Sequence, residues 1–132
     1  MKVDVPIVVV MPRRTKKDKR VYLNLNTYRN LHYRLNNEAK RKYKVTVSAL
    51  VDGMELPGNP PYRITYTLYP ASRRTIDVSN VCCIVDKFFC DALVEIGMLP
   101  DDNVQYVPEV VYRFGHVDKD NPRVNVEIES IT

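Results

Sequence analysis

The chain has 132 residues, 45% of them apolar, and a net charge of +4; that is enough apolar material for one folded domain without disulfide support, and it excludes a disordered tail. The longest apolar run, Pro6 to Pro12, is too short to span a bilayer, and Met1-Lys2-Val3-Asp4 does not read as the start of a signal peptide, so a single cytoplasmic domain over residues 1–132 with no membrane partner is expected. Charge is unevenly spread: residues 12–44 carry twelve Lys and Arg against Asp18 and Glu38, while most of the acids lie beyond residue 76, a pattern that suits a polyanionic partner such as nucleic acid.

Val3 to Val10 reads as a first strand, apolar enough to be central in a sheet. The basic stretch from Arg13 to Arg20 follows as a loop. Asn26 or Thr27 can cap a helix whose apolar positions, Tyr28, Leu31, Leu35, Ala39, Tyr43 and Leu50, repeat at spacings of three, four and seven. Asp52-Gly53 and the Pro57-Gly58-Asn59-Pro60-Pro61 cluster end it. From Tyr62 to Tyr69 the alternation is clean, with Tyr62, Ile64, Tyr66 and Leu68 on one side of a half-buried strand.

A second helix begins near Asp77 or Ser79 and stops at Gly97. Val81, Val85, Phe88, Phe89, Ala92 and Ile96 form its core face, and Asn80, Lys87 and Asp91 line up on the opposite side. Cys82, Cys83 and Cys90 sit on the same helix; their odd number and the lack of a nearby His favour reduced thiols over a zinc site. Pro100-Asp101-Asp102-Asn103 is a turn signal. Two alternating runs follow, Val104 to Phe114 and Val124 to Ile128, which read as an antiparallel hairpin with a wide loop; Pro108 favours an edge position or a bulge in the first. The expected fold is α/β, with a small mixed sheet and two main helices in the order β-α-β-α-β-β. Tyr22, Tyr28 and Tyr33 read as core or interface residues rather than base-stacking platforms, and neither His32 nor His116 has a visible functional role.

Two acidic sites bracket the second helix. Asp77 stands at its entrance and Asp101-Asp102 after its exit, so they can share a metal only if the chain after Gly97 doubles back; a helix-start Asp and a turn Asp are otherwise ordinary capping and turn residues. The stretch Arg73-Arg74-Thr75-Ile76-Asp77-Val78-Ser79-Asn80 resembles the signature of the RusA family of Holliday junction resolvases, in which a basic pair leads into Asp-x-Asp-Asn at a helix start. Lys87-Phe88-Phe89-Cys90-Asp91-Ala92-Leu93 resembles that family's Lys-x-x-x-Asp-Ala-Leu segment, and Gly97-Met98-Leu99-Pro100-Asp101-Asp102-Asn103-Val104 its Gly-x-(three residues)-Asp-Asp-x-x-Val. The resemblance covers residues 62–131 well and 1–61 only in outline.

The resemblance implies a RusA-like endodeoxyribonuclease of DNA recombination and repair, a homodimer that binds four-way junctions and nicks opposed strands symmetrically with Mg²⁺, or Mn²⁺ in its place. It makes Asp77, Lys87 and Asp102 catalytic, with Asp77, Asp102 and Asp101 as metal ligands. A hard cation on carboxylate oxygens polarises the phosphate and activates water, and a lysine offsets phosphate charge. Arg13, Arg14, Lys16, Lys17, Arg73, Arg74 and Lys87 would contact DNA, holding phosphates without reading sequence. The chain departs from the pattern twice: Ser79 stands where a second aspartate belongs, and the Asn80–Lys87 interval is four residues longer. Asp86 or Asp101 could replace the missing carboxylate. The Ser79 departure keeps open a junction-binding relative that cuts weakly or not at all; the bulk pattern of basic loops and Asp-rich turns also fits a basic protein-interaction module.

Overall fold

A computed structural model of the chain describes residues 1–74 and 77–132. Strand β1 (Lys2–Val5) buries Val3 and Val5 and exposes Lys2 and Asp4. Pro6 has no N–H for a sheet ladder, and the apolar run resumes as a separate strand, β2 (Val8–Met11), paired antiparallel with β3 (Lys19–Tyr22). The expected single central strand is thus two short strands in two sheets, and β1 is an edge strand of the larger one. Lys19 and Arg20, expected in a loop, belong to β3, so the basic stretch is the tip of a hairpin, with residues 12–18 all exposed.

The first helical pattern also divides. Asn24, rather than Asn26 or Thr27, caps α1 (Leu25–Asn30), its Oδ1 accepting from Thr27 N–H at 2.8 Å. The backbone turns extended at Leu31 (ψ 136°), and α2 (Tyr33–Leu50) restarts behind His32, whose Nδ1 accepts from Arg34 N–H. The buried stripe of α2 is Ala39, Tyr43 and Val47, continuing to Val51, while Leu50, expected on it, is 38% exposed.

β4 (Tyr62–Tyr69) has the expected inward face of Tyr62, Ile64, Tyr66 and Leu68. It is paired on both edges, which also buries Thr65 on its other face. Next comes α3 (Val78–Glu95), which ends beside Gly97 at φ +80°, a conformation open to glycine at no steric cost. Val85, Phe88, Phe89 and Ala92 are buried as expected. Cys82, Ile84, Cys90 and Leu93 are buried too, because α3 packs on the sheet and on both other helices. Phe88 meets the rings of Tyr28 and Tyr43 edge-on, and Phe89 meets Tyr66. Helices α2 and α3 run in the same direction, tied by Lys40–Asp91 at 3.7 Å and Lys44–Glu95 at 3.1 Å.

β5 (Glu109–Phe114) and β6 (Arg123–Ser130) do not form the expected hairpin. β4 lies between them: β5 pairs with it in parallel, from Arg63↔Glu109 to Leu68↔Phe114, and β6 antiparallel, from Tyr62↔Ser130 to Tyr69↔Arg123. The larger sheet therefore has the order β1-β6-β4-β5, a mixed four-stranded sheet. Val104 to Tyr106 form a turn before β5 rather than its first half, and Val104 is 82% exposed. Pro108 precedes an edge strand, as its missing N–H favours. The α/β class with a small mixed sheet and two main helices stands; the observed order, β-β-β-α-α-β-α-β-β, replaces the expected one. Among the described residues no helix is long and apolar enough to cross a membrane.

The shifted stripe of α2 gives a stability prediction. Val47→Ala removes two buried methylene equivalents and leaves a cavity, costing about 2–3 kcal/mol, whereas Leu50→Ala costs under about 1 kcal/mol. Urea titration of both variants measures this; equal losses would restore Leu50 to the core.

Candidate active site

Asp77 is the N-cap residue of α3, yet its carboxylate makes none of the usual capping hydrogen bonds; only its carbonyl accepts, from Asn80 N–H at 3.0 Å. Among the described residues this exposed carboxylate makes no backbone hydrogen bond, and it stands at the positive end of a helix dipole, which favours an anionic group there. Arg73 and Arg74 precede it and are exposed, and Ser79 is exposed in the first turn of α3. Thr75 and Ile76, which complete the signature, lie outside the described residues.

The second acidic site is at the far end of the same helix. Met98 and Leu99 fold their N–H groups onto Leu93 O, and Leu99 is buried there. The Asp101 carboxylate accepts from Asp102 N–H at 2.7 Å and from Asn103 Nδ2 at 2.9 Å, and Asn103 Oδ1 in turn accepts from Gln105 N–H at 2.9 Å, an Asx turn. Partial desolvation holds the Asp102 carboxyl above the usual carboxylate range, its bond to Asp101 raises it further, and the nearby charges of Asp91 and Asp101 add to this. Asp102 thus sits in an acidic group with Asp91 and Asp101. Asp77 and Asp91 are fourteen residues apart on one helix, about 21 Å at about 1.5 Å per residue.

The chain after Gly97 therefore does not double back to bring Asp102 to Asp77. The reason is topological: parallel strands β4 and β5 need a crossover that returns along the sheet, and α3 is that crossover. Among the described residues no group of three or more His, Cys, Asp and Glu side chains could hold a metal ion. The carboxylates of one chain, so placed, do not fit a shared Mg²⁺ or Mn²⁺ site.

Lys87 lies between the two acidic ends. Its Nζ is 5.9 Å from the centre of the Tyr28 ring, a cation–π distance. Asp91 pairs with Lys40. On this face of α3, Asn80 and Asp91 are half-buried toward α1 and α2, while Lys87 stays exposed beside Tyr28. Asp86 is turned the other way, into the sheet. Tyr66 Oη donates to its Oδ1 and Tyr112 Oη to its Oδ2 at 3.4 Å, while Cys90 Sγ donates to Oδ1 at 3.3 Å. Both carboxylate oxygens are committed, so Asp86 does not replace the acid missing at Ser79. Sequence reading missed this cluster. Its signal was present: Tyr66 faces inward on β4, and a buried tyrosine hydroxyl needs a partner.

The three cysteines are free thiols. Burial pushes Cys82 up to about 12 and raises Cys90 as well, with Asp86 adding to both, so they stay protonated and unreactive at neutral pH. His32 is a helix cap, and His116 packs edge-on against Tyr69. The β2–β3 tip presents Arg13, Arg14, Lys16 and Lys17 to solvent, ordered by Arg13 Nε donating to Lys17 O at 2.8 Å. Of the tyrosines read as core or interface residues, Tyr28 packs against the core, and Tyr22 and Tyr33 are 52% and 63% exposed in the single chain. The chain matches no protein-family model and no curated protein.

The raised Asp102 has a pH consequence. The folded protein holds this proton more tightly than the unfolded chain does. Stability from this group is therefore full below the ordinary value of 3.8 and is lost as pH rises through the folded value. Asp102→Asn should unfold at a slightly higher temperature than the unsubstituted protein at pH 7 in EDTA, with the gap closing by about pH 3. A lower melting temperature at pH 7 would count against the acidic crowding.

Proposed function

We propose that the protein is a RusA-like, metal-dependent endodeoxyribonuclease that acts on four-way DNA junctions as a homodimer. The observation that carries this reading is the exposed Asp77 carboxylate, which makes no helix-capping bond among the described residues and stands behind the exposed pair Arg73 and Arg74, within the stretch that resembles the family signature. Such a loop offers a hard oxygen ligand and phosphate contacts together. The exposed β2–β3 tip adds four cations for neighbouring phosphates.

The separation of Asp77 from Asp102 sets a condition on the site. If both carboxylates serve one centre, they come from two chains. A twofold axis perpendicular to α3 and passing beside its middle would supply this, because it sets the start of one α3 against the end of the other. The basic Arg73–Arg74 end of each chain then faces the acidic Asp91, Asp101 and Asp102 end of its partner. Mg²⁺ held there would supply charge neutralisation at the phosphate; Lys87, on the same helix, would sit along the path between the two ends.

A second reading, a junction-binding relative that does not cut, is favoured by one residue. Ser79 brings no charge where the family pattern has an aspartate, so each chain offers Asp77 alone at that end.

The test uses a synthetic four-way junction and a matched linear duplex, with and without Mg²⁺. Asp77→Asn and Asp102→Asn should each abolish junction nicking. Refolded together in equal amounts, they should regain about a quarter of the original nicking rate, because half of the dimers then carry one intact composite site. Those dimers should nick one strand and not the opposed one. No recovery with active parent protein would place both residues in one chain's site. Salt-sensitive junction binding without nicking by the parent protein would establish the second reading. Equal indifference to junction and duplex would remove both.

A further inference from the structure

A cleft of about 340 Å³ opens between Ile7, the turn from β3 into α1 and the first turn of α3. Leu23 is buried and Val81 half-buried beneath it, Tyr22 forms an exposed aromatic wall, and the carboxamides of Asn24, Asn26 and Asn80 complete the lining. No charged side chain lines it.

The hydrogen bonds at these three amides leave capacity for a ligand. Asn24 Oδ1 is used by Thr27 N–H, and Asn26 Oδ1 accepts from Asn30 Nδ2 at 3.2 Å, so the amide hydrogens of both remain available. The Asn80 carboxamide bonds to no described residue, although its backbone N–H is fixed on Asp77 O. These features discriminate between ligand classes. A phosphate or carboxylate would find no cation in the lining. A purely apolar group would strand three amides. A flat heterocycle with donors and acceptors on its edge satisfies the amides and stacks on Tyr22.

We propose that this cleft receives one unstacked nucleobase of the DNA substrate at the start of α3, with Tyr22 stacking on its face and Asn26 and Asn80 reading its edge. The proposal rests on the endonuclease reading above and adds a source of sequence preference to it. Asn80 is three residues from Asp77 on one helical turn, so a base in the cleft lies close to the proposed cleavage end of α3. A branch point supplies such a base cheaply, because unstacking costs least where pairing is already interrupted.

The experiment is competition binding in EDTA with junctions that differ only in the base next to the branch. The parent protein should prefer one base over the least favoured by about tenfold or more. Asn80→Ala and, independently, Asn26→Ala should flatten that preference to within about twofold while keeping the affinity for the least favoured junction. Tyr22→Leu should weaken all four junctions alike, by about tenfold. Equal binding of all four junctions by the parent protein, or an unchanged preference in both Asn variants, would overturn the base cleft and leave the nuclease reading standing. Failure to bind any junction more tightly than duplex would overturn both.

Discussion

The pairing of β4 along both of its edges governs the rest of the molecule. With β6 antiparallel on one side, β4 has only one edge left for β5, and β5 takes it in parallel. A parallel neighbour cannot be reached by a tight turn, so the chain must return along the sheet first. That return is α3. The two acidic segments that flank α3 are therefore delivered to opposite ends of the sheet. Had β5 and β6 formed a hairpin, nothing would have required this; the distance between Asp77 and Asp102 follows from the strand order, not from the loops that carry them.

The rotation of α3 about its axis is set by a second interaction, the insertion of Asp86 between Tyr66 and Tyr112. A partly buried carboxylate is costly unless it is hydrogen-bonded, and two phenol donors from adjacent strands satisfy it. With Asp86 turned to the sheet, the next residue lies about 100° around the helix, which carries Lys87 beside Tyr28 of α1. Asp91, one turn further on, meets Lys40 of α2. One polar contact on the sheet side thus fixes which charges line the helix–helix side. The neighbouring thiols are kept protonated by burial, and their role is to fill space.

Much of this was legible in the sequence, and the boundary of legibility has a physical cause. The alternation in β4, the core arc of α3 and its glycine stop are local patterns, and local patterns report burial well. The same logic failed where a tertiary partner decided the outcome. Val3 to Val10 has one composition but two fates, because Pro6 cannot donate to a ladder and the next segment finds β3 instead. Leu50 fits a helical stripe, yet Val47 and Val51 take the buried positions because α2 packs on α3 and on β1 and β2 together. No periodicity in β5 or β6 says which edge of β4 each will choose. At the candidate site, the residues Asp77, Asp101 and Asp102 were identifiable by type and spacing. Their separation was not, since it depends on that choice of edge.

The charge layout gives the separation a use. The end of α3 near Asp102 gathers Asp91, Asp101 and Asp102, close enough to raise the proton affinity of one of them. Such a cluster is relieved by a cation or by a basic surface. The opposite end of the same helix carries Arg73 and Arg74 ahead of Asp77. A single chain cannot bring these ends together, because the helix between them is rigid; a second copy related by a twofold axis can do so twice over. Ser79 strengthens this dependence. Under the proposed function, an ion at the start of α3 would gain less from its own chain, with Ser79 there, and more from the acidic end of the partner. Under the proposed function, assembly and catalysis are then the same event.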